Sequence, residues 1–225
     1  MATPGKARIY VLAGVNGAGK SSLAGAAMRE QGAEYFNPDE AAAKVRHANP
    51  GLTQAEANSV AWHQGRRLLQ RAILERIGYA FESTLGASTI PRLLAEAAAS
   101  GIEVHIWYAG LASPELHLER VRARVRAGGH DIPESDIRRR YDHSRLNLIQ
   151  LLPVLTALRV YDNSVEADPA RGLPPAPTLV LHMVRGTIMN RGDLSRAPDW
   201  AKPIVAAAMK RDSRGTTERA RPPHG

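Results

Sequence analysis

One segment near the amino terminus constrains this chain more than any other. Gly14-Val15-Asn16-Gly17-Ala18-Gly19-Lys20-Ser21 fits G-x-x-x-x-G-K-[ST]. It follows an apolar, β-branched run, Arg8–Ala13, and leads into a stretch from Lys20 to about Gln31 with helical character. The glycines let the backbone curl so that successive N–H groups converge on phosphate oxygens. The helix that follows adds the positive end of its dipole. Lys20 has the reach for the β- and γ-phosphates, and the Ser21 hydroxyl is a ligand for Mg²⁺. Gly14, Asn16, Gly17, Ala18, Gly19, Lys20, Ser21 and Ser22 are therefore the expected contacts of a nucleoside triphosphate, with ATP and Mg²⁺ as the cofactors. A strand running into such a loop and then a helix demands an α/β fold.

The rest of the chain agrees with that demand. Strand-like segments recur at Ala33–Asn37, Tyr79–Glu82, Ile102–Tyr108 and Leu158–Asp162. Helical patterns separate them: Ala55–Ile77, with Val60, Leu68, Leu69, Ile73 and Ile77 at helical spacing, then Pro91–Ser100, Pro114–Ala127 and Glu134 to about Leu155. Gly101 stands where a helix would close. The expectation is a P-loop three-layer sandwich with a mostly parallel five-stranded sheet. Thr178–Val184 reads as a further edge or hairpin strand, turning at Arg185-Gly186. At 225 residues this is one domain over 1–210, with an extension at about 166–210 and a basic tail from 211 expected to be disordered.

Composition removes several alternatives. There is no cysteine, which excludes a disulfide scaffold, a thiolate metal site and a cysteine nucleophile. No apolar run nears the ~20 residues of a membrane span, and the first residues lack a signal-peptide core, so a cytoplasmic protein is expected. The net charge of +8 includes +3 from residues 210–225, where five basic residues meet two acidic ones. The body keeps +5, a modest excess, and no aromatic platform for single-stranded nucleic acid accompanies it. A nucleotide-gated regulatory or nucleic-acid-binding protein is the alternative of a different class.

Two carboxylates stand at strand ends, where open α/β sheets bind ligands. Asp39, in Asn37-Pro38-Asp39-Glu40, is a candidate base for an acceptor alcohol; the same residues also read as a helix start. Glu82, in Phe81-Glu82-Ser83-Thr84, is a candidate to hold the water shell of Mg²⁺ or to grip an acceptor, with Ser83 and Thr84 beside it. These two hydroxyls also read as caps of the next helix. Between 119 and 145 lie Arg120, Arg122, Arg124, Arg126, Arg138, Arg139, Arg140 and Arg145, divided by Gly128-Gly129. Two helices joined by glycines, over about 117–148, make a lid that brings guanidinium groups to a migrating phosphoryl group. A solvated helix face with acidic partners is the plainer reading for any one of them. Asn163 and Ser164, after the last parallel strand, are candidates for contact with the base of the nucleotide. His130 reads as a turn residue, and Trp62, Trp107 and Trp200 as packing.

The order of these motifs resembles the zeta toxin family of P-loop kinases. The motifs are G-V-N-G-A-G-K-S, N-P-D, F-E-S-T-L, then R-V-R-A-G-G-H-D-I-P-E with I-R-R-R-Y, and finally V-Y-D-N-S. The likeness spans about residues 8–165, and the Gly-Gly-His-Asp-Ile-Pro form resembles that of the short chromosomal branch. It implies an ATP-dependent kinase for the 3′-hydroxyl of the sugar in UDP-N-acetylglucosamine, neutralised by a small antitoxin protein. Carried over by motif, Lys20 and Ser21 match the phosphate and Mg²⁺ residues, Asp39 the base, and Glu82 a substrate-side carboxylate. Arg124 and Arg139 or Arg140 match the catalytic arginines of the arm. Other acceptors in the same reaction class are a nucleoside, a sugar acid or an antibiotic.

Overall fold

Among the described residues, alternation of apolar strands and amphipathic helices yields a single seven-stranded sheet in the order β2-β3-β1-β4-β5-β6-β7. The computed structural model describes residues 6–20, 23, 35–165, 177–189 and 194–219, the last six as backbone only. The strands are β1 (Arg8–Ala13), β2 (Tyr35–Phe36), β3 (Tyr79–Ser83), β4 (Glu103–Gly110), β5 (Ala157–Asp162), β6 (Thr178–Val184) and β7 (Thr187–Ile188). Five run parallel, as expected, and β6 and β7 add an antiparallel hairpin on the β5 edge. The hairpin turns at Arg185-Gly186, both left-handed (φ 47° and 83°), the geometry whose twist matches its strands.

The helices are α1 (Pro38–Ala48), α2 (Gln54–Glu75), α3 (Thr89–Ala99), α4 (Pro114–Arg126), α5 (Glu134–Leu151) and α6 (Lys202–Arg219). Asn37 caps α1 by accepting from the N–H groups of Asp39 and Glu40. Thr53 and Glu56 form a capping box that starts α2. Gly101, at φ 84°, closes the turn after α3. Of the expected helix after the glycine loop, Lys20 and Leu23 are helical; Ser21, Ser22 and residues 24–34 lie outside the described residues, as do 166–176.

Strand alternation sorts the core into two layers. Ile9, Val11, Tyr79, Phe81, Val104 and Ile106 face one side, packed against α2, α3, α5 and α6. Leu12 and Ala80 face the other, together with Leu23. Three expectations are corrected here. Val60 is exposed because the amino-terminal half of α2 buries alanines instead, Ala57 and Ala61 lying against Ala42 of α1, and Ile77 is exposed because the helix ends at Glu75 and the chain turns at the left-handed Arg76. Helix α6 was not expected, and it continues through 211–219, where a disordered tail was. Arg211 donates to the Pro153 carbonyl, and Asp212 accepts from the Ile188 N–H, so the chain at 211–212 is anchored to the body; 220–225, the rest of that expected tail, lie outside the described residues. No helix among the described residues is long and apolar enough to cross a membrane.

Candidate active site

The glycine loop takes the conformation its sequence requires. Gly14, Gly17 and Gly19 sit at φ 140°, 84° and 75°, which residues with a Cβ rarely adopt. A Cβ at Gly14 would lie 2.3 Å from the Ala109 carbonyl oxygen, and one at Gly19 2.4 Å from Asn163 Nδ2. Three elements brace the loop from outside. The Asn163 amide, 4% exposed, donates to the Ala18 carbonyl at 2.9 Å. His117 of α4 meets the Asn16 carbonyl at 2.8 Å through Nδ1. That oxygen only accepts, so Nδ1 carries the proton. Arg140 of α5 donates to Asn16 Oδ1 at 2.9 Å.

His117 was not foreseen; it sits among Leu116, Leu118 and Val121 as one more inward position of α4. It is 1% exposed. Burial pushes its pKa down to about 4, and Lys20, Arg120 and Arg145 push the same way, against the Asn16 carbonyl. The imidazole is neutral at physiological pH. Burial likewise holds the Lys20 ammonium below the ordinary lysine range; Glu82 and Asp39 pull it back up, while Arg124 and Arg140 lower it. Lys20 therefore sits in the combined field of two carboxylates and two guanidinium groups.

Those four side chains come from separate elements. Glu82, at the end of β3, is 8% exposed and accepts from Tyr35 Oη at 2.5 Å and Asn37 Nδ2 at 3.3 Å. Asp39 lies in the first turn of α1; the cap itself is Asn37, which leaves the Asp39 carboxylate turned outward. Arg124 of α4 donates to Asp39 Oδ2 at 3.2 Å, and His130 Nε2 lies 3.9 Å from Oδ1. His130 is thus more than a turn residue: it faces the same carboxylate. Arg139 and Arg140 both hold Asp136, at 2.7 and 3.0 Å. Arg122, with Glu134, and Arg138, with Glu115 and Glu134, follow the surface-pair reading, whereas Arg145 is largely buried: it pairs with Asp142, donates to the Tyr141 and Trp200 carbonyls and lies over the Tyr141 ring.

A cleft of about 470 Å³ runs beside these groups, lined by Asn16, Asp39, Glu82, His130, Arg139 and Arg140, among others. This is within the range of small-molecule sites. Ser83 and Thr84 line it, and their hydroxyls accept from the N–H groups of Leu85 and Gly86, so each keeps its own O–H proton free to donate. They do not cap α3, whose cap residue is Ser88. Leu85 is left-handed (φ 52°) and buried, held there by Asn147, which donates to its carbonyl at 2.7 Å. Strain of this kind gathers at sites where the backbone must present itself to a ligand. The remaining wall is α2, including Trp62, which is 40% exposed. Its reading as a packing residue is thereby corrected. Trp200, by contrast, is buried against Tyr108. Ser164 accepts from the Ala112 N–H and donates to Asp162, so it ties the end of β5 to the end of β4.

The sequence model of the AAA domain family matches residues 9–144, which take in the loop, both carboxylates and most of the arm. The chain belongs to that family. Among relatives of this AAA domain protein is an uncharacterised protein of Haemophilus influenzae, 33% identical over 132 residues, 57% of this chain and 88% of that one. The fold is shared with the AvrRxo1-ORF1 chain crystallised with AvrRxo1-ORF2 and ATP: TM-score 0.63 and 14% identity over 90% of this chain. This AAA domain protein spans 64% of that chain's length, and 61% in the sulphate-containing structure of the same complex. It also shares its fold with a structure from the PezAT chromosomal toxin-antitoxin system of Streptococcus pneumoniae. There the TM-score is 0.57, with 17% identity over 94% of this chain and 88% of that one.

Proposed function

We propose that this protein is a kinase that moves the γ-phosphoryl group of ATP to a hydroxyl of a small molecule held in the cleft. The observation that carries this reading is the convergence of Lys20, Glu82, Asp39 and the arm arginines, from five different elements, around one end of a ligand-sized cleft. The glycine cradle suits a triphosphate tail, since a Cβ at Gly14 or Gly19 would run into Ala109 or Asn163 behind the loop and push it out of its curled course. In the reaction Lys20 positions the β- and γ-phosphates. Asp39 orients the acceptor O–H and takes its proton as the new P–O bond forms. Arg124, Arg139 and Arg140 offset charge on the migrating group, and Arg124 must first leave Asp39 to do so. Glu82, fixed by Tyr35 and Asn37, grips the acceptor alongside Ser83 and Thr84. Asn163 supports the loop and lies near the base of the nucleotide. Mg²⁺, held by Ser21 and phosphate oxygens, would supply further charge neutralisation.

The acceptor we propose is a UDP-activated amino sugar such as UDP-N-acetylglucosamine. The motif order and the fold shared with a toxin-antitoxin protein support it. The same neighbours support a small antitoxin-like protein as partner. Residues 1–210 act as one catalytic unit with the lid at about 117–148 and an extension at about 166–210; one hydrophobic core joining β1 to α6 supports this. The test is incubation of the purified protein with γ-labelled ATP, Mg²⁺ and a panel of alcohols that includes UDP-sugars. Label is expected on UDP-N-acetylglucosamine with the parent protein and on nothing with Lys20→Ala. Label on a different acceptor replaces the sugar proposal, and unchanged turnover in Lys20→Ala removes the site.

A further inference from the structure

The α2 wall of the cleft carries a cation that no carboxylate among the described residues neutralises. Among the described residues three arginines line the cleft: Arg66, Arg139 and Arg140. Arg139 and Arg140 are committed to Asp136, and Arg140 also to Asn16. Arg66 pairs with no carboxylate among the described residues. It is half-buried, its Nε is fully buried with no hydrogen-bond partner, and its guanidinium rests over the Trp62 ring, 5.2 Å from the centroid. Trp62 and Arg66 stand four residues apart on one face of α2, so the pair forms a single shelf.

A buried donor left without a partner is costly, on the order of 1–3 kcal/mol and more for a charged group. Native structures keep few such groups, and those they keep usually have a reason. The neighbouring Gly65 shows that this stretch of α2 is closely fitted: a Cβ there would come 2.6 Å from the Phe36 ring, which itself lines the cleft. A guanidinium whose face is covered by an indole keeps its edge for two oxygens of one planar or tetrahedral anion.

We infer that Trp62 and Arg66 form a specificity subsite, and that the acceptor is an alcohol which also carries a carboxylate or a phosphate. This rests on the phosphotransfer reading of the cleft and assigns the residues that read the charge of the acceptor. Neutral sugars, nucleosides and cationic antibiotics lack the group that Arg66 requires, whereas sugar acids and nucleotide-activated sugars have it. Discrimination comes from the unpaired cation itself, because an acceptor without an anion would bury Arg66 still unsatisfied.

The test is calorimetric titration of the whole chain, saturated with a non-hydrolysable ATP analogue and Mg²⁺, with matched compounds. UDP-N-acetylglucosamine is compared with N-acetylglucosamine for a phosphate source, and gluconate with glucose for a carboxylate source. In at least one pair the anionic member should bind the parent protein about tenfold tighter or more than its neutral counterpart. Arg66→Gln should weaken that member by about 10- to 100-fold, the scale of one charge-assisted pair, and leave the ATP analogue within about twofold. Arg66→Lys, which keeps the charge but not the fork, should recover part of the loss. The subsite is overturned if Arg66→Gln binds the anionic member as tightly as the parent does, or if no anionic member outbinds its neutral counterpart. Affinity for the ATP analogue is read separately, so a chain that binds no nucleotide fails the phosphotransfer reading instead.

Discussion

His117 links acid stability to the phosphate loop in a way that can be measured. In the unfolded chain its imidazole titrates near 6.5, and in the fold it titrates near 4, chiefly because it is buried. The folded state thus binds fewer protons than the unfolded state between these two values. Stability contributed by the neutral imidazole is complete above about pH 6.5 and falls as pH drops toward 4. Fully expressed, the difference amounts to ~3 kcal/mol; between pH 7 and pH 5 it is about 2 kcal/mol. That is a large share of the 5–15 kcal/mol by which domains are typically stable. Urea unfolding at pH 7 and pH 5 should show the parent losing about 2 kcal/mol more over this interval than His117→Asn. The variant corrects for every other titrating group, His105 and His182 included, whose burial also lowers them. Equal losses in the two proteins would refute the argument, since they would mean that His117 is free to take up a proton in the folded state.

Two further outcomes follow from the site. Asp39→Asn should keep affinity for an ATP analogue within a few-fold and lose phosphoryl transfer by 10²-fold or more, on the order of what a positioned base contributes; full transfer in that variant removes Asp39 as the base. Ser144→Ala should destabilise the protein by about 1–3 kcal/mol in denaturant unfolding. Its buried hydroxyl donates to the Thr84 carbonyl at 2.6 Å and lies 3.0 Å from the Tyr108 hydroxyl, whose pKa burial pushes up to about 12, so the variant strands two buried polar groups; an unchanged midpoint would show that neither group needs it.

The arm and the cleft were read from sequence to different depths. Eight arginines divided by a glycine pair announced a cationic arm, and motif likeness singled out Arg124 and Arg139 or Arg140, yet no local physical pattern separates Arg124, Arg139 and Arg140, which face the site, from Arg122 and Arg138, which form surface pairs, or from Arg145, which is turned inward. The distinction depends on how α4 and α5 are rotated about their axes, and packing of Leu118, Val121, Ile132 and Ile137 sets that rotation. Helix α6 was missed because only its first half, around Ile204, Val205 and Ala208, is apolar; those residues join the main core, and Arg211 and Asp212 tie the polar half to the body.

What the amino-acid sequence determined by itself is the part of the protein whose causes are near neighbours. The apolar run 8–13, the glycines at 14, 17 and 19 and the lysine at 20 dictate strand, curl and cradle within thirteen residues. The alternation of periods two and 3.6 along the chain then dictates a parallel α/β sheet. What only the tertiary structure decided is which distant side chains meet that cradle. Tyr35 on Glu82, His117 on Asn16, Asn163 on Ala18 and the Trp62–Arg66 shelf join residues that periodicity treats as unremarkable. Their roles arise from the closing of the sheet and the seating of its helices, and short-range sequence carries no record of which groups that closure brings within bonding distance.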